Sequence, residues 1–88
     1  MSCVYVIELN NDSLYVGRTN LTREERIHNH KIGHKSSRIV RKIGVKAQRD
    51  DLIPEIWKGE LEYDESHTVE TELAASLRKK GYIVHGGH

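Results

Sequence analysis

Tyr5 and Tyr15 stand mid-way along two short apolar runs that fold about Asn10-Asn11-Asp12-Ser13, and Gly17-Arg18-Thr19 closes the second run. Aromatic residues suit a pleated, half-buried surface, so strand formation alone accounts for two tyrosines. It does not account for the polar groups further along the chain. Arg26 and His30 lie four apart in a segment whose only large apolar residues are Ile27 and Ile32. Residues at that spacing share a helix face, so Arg26, Ile27 and His30 point inward or into a cleft, as a site would. Glu70 falls in the helical stripe of Val69, Leu73, Ala74 and Leu77. At roughly 100° per residue it lies within about 40° of the stripe's centre, whereas Glu72 lies on the solvent side. A carboxylate aimed at a core is costly unless it is paired or holds a cation. Glu70 therefore pairs with Arg26 or another base, or it binds a metal. Phenols and imidazoles move protons, and a guanidinium forks onto oxyanions.

The elements that must position these groups are short. Residues 3–9 are apolar on both alternating faces, which suits a central strand covered on two sides. Residues 10–13 are turn formers, and 14–18 read as the return strand of a hairpin. A register pairing odd residues with odd ones would put Tyr5 and Tyr15 on one face. Thr22-Arg23-Glu24-Glu25 is a capping box that starts a helix of about ten residues, which Gly33 can end. Ser36-Ser37 can cap a second short helix with Ile39, Val40 and Ile43 as its stripe, closed by Gly44. "EIWKGELEY" after Pro54 alternates like a third strand. A helix runs from about Ser66 to Lys80, stopped by Gly81, and "YIVHGGH" can add a short extended segment. The order β-β-α-α-β-α predicts a small α+β domain, a three-stranded antiparallel sheet flanked by helices.

With 88 residues the chain is expected to form one domain, residues 1–88. The net charge is +1, yet residues 18–49 hold ten Lys/Arg against two acids and residues 50–72 nine acids against one lysine. Such asymmetry means either a basic face for a polyanion or two segments that neutralise each other. Cys3 is the only cysteine, which excludes an internal disulfide or a multi-cysteine zinc site and fits a reducing, cytoplasmic setting. No signal peptide, membrane span, repeat or linker is expected.

Taken together, two Tyr-centred strands, the second reading Tyr15-Val16-Gly17, then Arg26 with His30, then Glu70 ahead of Leu73-Ala74 and Leu77, resemble the GIY-YIG nuclease family. The first signature is Val4-Tyr5-Val6 in place of Gly-Ile-Tyr, so the usual glycine is missing. Arg18 stands where some members carry lysine, Gly33 and Ser36-Ser37 suit a segment often seen after the first helix, and His85 stands near the place of an asparagine. The resemblance spans residues 3 to 87. It implies a divalent-metal-dependent endonuclease that hydrolyses DNA phosphodiesters, RNA not being excluded.

What the resemblance implies for the residues is specific. Glu70 would hold Mg²⁺, or Mn²⁺, since magnesium tolerates a single protein carboxylate when it keeps waters and phosphate oxygens. Arg26 would meet the phosphoryl oxygens. Tyr5 would act as base or base-orienter with Tyr15 as its partner, and His30 would relay the proton or orient the nucleophile. Arg18, Ser36, Ser37, Arg38, Arg41, Lys42 and His85 would bind substrate, with Lys46 adding to the basic stretch, a salt-sensitive and sequence-blind contribution. Specificity beyond that would need a homodimer or a separate targeting partner. Two other readings compete: a non-catalytic nucleic-acid-binding or protein-interaction module with the same fold, and a histidine metal site drawn from His28, His30, His34, His85 and His88.

Overall fold

The computed structural model describes residues 2–34 and 36–87. Strands β1 (Cys3–Leu9) and β2 (Leu14–Thr19) form the expected hairpin, followed by helices α1 (Arg23–Lys31) and α2 (Arg38–Ile43). A strand β3 (Val45–Gln48), two 3-10 turns (Asp50–Leu52 and Glu55–Trp57), the long helix α3 (Tyr63–Lys79) and a strand β4 (Val84–Gly86) complete the chain. The sheet has four strands in the order β3-β1-β2-β4. β1 pairs antiparallel with β2 and β3, and β2 pairs parallel with β4.

Two expectations are corrected here: the sheet is four-stranded and mixed, and residues 55–63 are not its third strand. Trp57 and Leu61 point into the core as the strand pattern required, but they share that direction with Ile53. A spacing of four is met by a 3-10 turn and a loop as easily as by alternation. Of these residues only Leu61 makes a bridge, an isolated one to Ser2 just ahead of β1, and Ile56 is 82% exposed. The third strand is instead "VKAQ", too short and too polar to announce itself. Ion pairs at its end hold it to β1: Arg49 and Lys46 both reach Glu8, at 2.9 and 3.5 Å.

The sheet separates two apolar layers. Val4, Val6, Leu14 and Val16 on the even-numbered face pack against Val69, Leu73, Ala74 and Leu77 of α3. Tyr5, Ile7 and Leu9 on the odd-numbered face meet Ile27 of α1 and Val40 of α2. β1 is buried on both faces, as its unbroken apolar run predicts. The register pairs Tyr5 with Gly17 and Ile7 with Tyr15, so both tyrosines project from the odd face. The capping box at Thr22 and Glu25 forms, and Ser37 caps α2. Arg23 donates to the carbonyl of Val4 at 2.6 Å, tying α1 to the central strand. α3 starts at Tyr63, three residues earlier than expected, because Glu62 serves as its N-cap with Glu65 reaching back. No helix among the described residues is long and apolar enough to cross a membrane.

Candidate functional site

Tyr5 is 2% exposed, and its ring crosses the strand over Gly17. A Cβ on Gly17 would run into the Tyr5 hydroxyl and ring carbon. The glycine of "YVG" is therefore the space in which Tyr5 lies. The phenol meets His30 Nε2 at 2.8 Å, and His30 Nδ1 meets Ser36 Oγ at 2.8 Å. Ser36 in turn donates to the carbonyl of Ser37 at a long 3.5 Å. A Ser36 hydroxyl that donates to the backbone leaves its oxygen to accept from Nδ1–H, and in that tautomer Nε2 accepts from the Tyr5 hydroxyl.

Tyr15 lies on the same face, half-buried, its ring centroid 6.3 Å from Tyr5 and 5.7 Å from His30. Burial is the main reason that the Tyr5 phenol ionises only well above its ordinary range, with Tyr15 adding to it; Arg26 pulls the other way and Glu70 adds a smaller push upward. Burial, then the positive charge of Arg26, lowers the His30 pKa to about 4, so its imidazole is neutral at pH 7. Arg26 acts electrostatically on both groups and hydrogen-bonds to the Tyr5 side chain.

Glu70 is 8% exposed on α3, with Arg18 Nε of β2 at 3.7 Å. Arg18 is thus a basic partner of Glu70. β4 accompanies β2 only from Leu14 to Val16. Beyond that point β2 and α3 leave an open groove of about 330 Å³ lined by Arg18, Thr19, Asn20, His67 and Glu70. A neighbouring cleft of about 300 Å³ shares Asn20 and includes Cys3; there the buried thiol donates to the Leu21 carbonyl, and burial raises its pKa, so it is no nucleophile.

The remaining expected residues divide. His85 pairs with Tyr15 across the parallel ladder, and its Nε2 is buried without a hydrogen-bond partner among the described residues. The hydroxyls of Ser36 and Ser37 are committed inside the protein, to His30 and to the α2 cap. Arg38, Arg41 and Lys42 are exposed on α2, and Lys46 is held by Asp12 at 2.8 Å. Of the histidines proposed for a metal site, His28 and His34 are exposed and His88 lies outside the described residues. Among the described residues no three His, Cys, Asp or Glu side chains gather to hold a metal. One buried carboxylate on an open groove fits a hydrated Mg²⁺ and does not fit a caged zinc. Two residues at the groove carry no signal in the sequence. His67 and Tyr63 lie one and two turns before Glu70, and only the true start of α3 puts Tyr63 on the helix.

The sequence pattern of the GIY-YIG catalytic domain matches residues 1–82. The chain belongs to the GIY-YIG family. Its α+β fold, with a sheet flanked by helices, is consistent with that membership. Domains of this family are generally endonucleases, hydrolases that act on nucleic acid and typically use divalent metals. The match ends before β4, so Gly86 and His85 stand outside it. No curated protein and no solved structure matches the chain.

Proposed function

We propose that this GIY-YIG protein is a divalent-metal-dependent endonuclease that hydrolyses DNA phosphodiester bonds. The observation that carries the reading is the convergence of Tyr5, Tyr15, Arg26 and His30 on one sheet face with Glu70 within electrostatic reach of Tyr5. A fold alone needs none of these polar groups buried together.

Glu70 would hold the cation, which when bound supplies Lewis-acid stabilisation of charge on the phosphoryl oxygens. The protein's own residues do the rest. Arg26 and Arg18 bring guanidinium forks to oxyanions in the groove. Tyr5 is buried, protonated at neutral pH and committed to His30, so it orients rather than accepts. Tyr15 is the phenol that solvent reaches, and in its phenolate form, which nearby cations favour, it would take the water's proton and become the neutral phenol. In this reading the roles are exchanged relative to those the resemblance implied, with the Tyr5–His30–Ser36 chain forming the wall against which Tyr15 packs. Arg38, Arg41 and Lys42 add sequence-blind phosphate contacts along α2.

The test is nicking of supercoiled plasmid in Mg²⁺ and in EDTA by wild type, Tyr15→Phe and Tyr5→Phe. Cleavage in Mg²⁺ alone, lost in Tyr15→Phe and only weakened in Tyr5→Phe, is expected. A folded wild type that binds DNA and never cuts it would favour the non-catalytic binding module.

A further inference from the structure

The groove has a rim that the proposed chemistry leaves unused. Tyr63, His67 and Glu70 lie in succession along one face of α3, at spacings of four and three. Seven residues of helix place Tyr63 about 10 Å from Glu70. Arg18 crosses this face and touches all three. Its guanidinium carbon lies 4.6 Å from the Tyr63 ring centroid and its Nη2 is 3.3 Å from the Tyr63 hydroxyl. The same nitrogen meets His67 Nε2, while Nε faces Glu70 at 3.7 Å. The His67 ring stands edge-on to Tyr63 at 5.1 Å and 79°.

Tyr63 is nevertheless 58% exposed and belongs to neither apolar layer. Scattered exposed aromatic rings need no explanation. Arg18 lies over this ring and His67 stands edge-on to it, both of them lining the groove that contains Glu70, while much of the ring's surface is left to solvent.

We propose that Tyr63, backed by Arg18 and His67, is a stacking subsite for an unpaired base of the strand whose phosphodiester lies at Glu70. The proposal rests on the nuclease reading for what lies at Glu70. Every base has a π-face, so stacking on a tyrosine tolerates any sequence, and a neighbouring arginine adds cation–π attraction and meets the backbone. A base inside a duplex already has both faces covered by its neighbours. The occupant is therefore a single strand, a flap or a gap beside the cut, and a preference for such substrates needs no separate recognition domain.

The experiment measures fluorescence anisotropy in EDTA, where binding is read without cleavage. The probes are a labelled single-stranded oligonucleotide, the same strand in a blunt duplex, and the single strand carrying one 2-aminopurine. Wild type is compared with Tyr63→Ala and Tyr63→Phe. Tyr63→Leu, which keeps apolar bulk at the helix start, replaces the alanine variant should that one unfold by circular dichroism. Tyr63→Ala is expected to bind the single strand about 5- to 150-fold more weakly, the range that base stacking on an aromatic ring gives. Duplex binding should be unchanged, Tyr63→Phe should bind as wild type, and 2-aminopurine quenching should disappear only in the alanine or leucine variant. Equal losses on single strand and duplex, or no loss on either, would overturn the subsite. So would wild type that binds neither oligonucleotide. Wild type that quenches the base through Tyr63 and never cuts in Mg²⁺ would remove the nuclease reading and leave the subsite standing.

Discussion

His30 makes this protein sensitive to mild acid, in a window and by an amount that the structure sets. The side chain is 3% exposed, and burial with the Arg26 charge lowers its pKa from 6.5 to about 4. In the unfolded chain the imidazole takes up a proton below about pH 6.5. In the folded protein it stays neutral until about 4. Between those values unfolding binds a proton, so stability falls as pH falls through the window, and the loss is complete below about 4. At 1.36 kcal/mol per tenfold change, the loss totals about 3 kcal/mol. Domains hold as little as about 5 kcal/mol in total. Protonation also removes the acceptor at Nε2 that the Tyr5 hydroxyl uses, which couples acid to the geometry of the site. The assay is urea unfolding at pH 7 and pH 4.5 of wild type and His30→Gln. Carboxylates titrate in both proteins, so the difference in slope isolates His30, and the glutamine amide oxygen can still accept from Tyr5. Wild type should lose about 2 to 3 kcal/mol more than the variant over this interval. Equal losses, or a His30 imidazole proton resonance (the one missing from His30→Gln) that titrates near pH 6.5, would refute the reasoning.

Gly17→Ala should destabilise by about 1–3 kcal/mol, an overpacking cost, because the new methyl enters the space of the Tyr5 ring. Its denaturation midpoint and plasmid nicking should fall together; an unchanged midpoint would mean that the ring does not lie there. The triple variant of Arg38, Arg41 and Lys42 to alanine should leave folding intact and flatten the salt dependence of DNA binding. The slope of log affinity against log salt should drop by about one for each phosphate contact removed, and an unchanged slope would take α2 out of the interface.

The range of the interactions involved decides which features are legible in the sequence. Tyr5, Tyr15, His30 and Glu70 are legible because local periodicity places each of them: an odd-with-odd hairpin register, a helix with one buried face, and a carboxylate inside an apolar stripe. The capping box at Thr22 and the stop at Gly44 are equally local, and both occur. β3 is not legible, since its four residues are ordered by ion pairs to Glu8 across the sheet and carry little pattern of their own. "EIWKGELEY" misleads because Trp57 and Leu61 serve the core from a turn and a loop, where a strand would have given the same inward residues. Tyr63 falls outside the helix expected from Ser66 because glutamate is an unusual N-cap, and that one misplaced boundary hides the rim of the groove. The hydrogen bond between His30 and Ser36 depends on how the segment after α1 folds back, so the sequence pattern does not announce it.

The proposed activity turns on the carboxylate of Glu70, which lies within electrostatic reach of Tyr5 and would make this groove a phosphodiesterase. The most direct measurement is single-turnover cleavage of an end-labelled DNA strand in Mg²⁺ by wild type and by Glu70→Gln, with the fold of each verified by thermal melting. The glutamine variant is expected to stay folded, still bind the strand, and cleave at least about a hundredfold more slowly. Equal cleavage rates for the two proteins would contradict it.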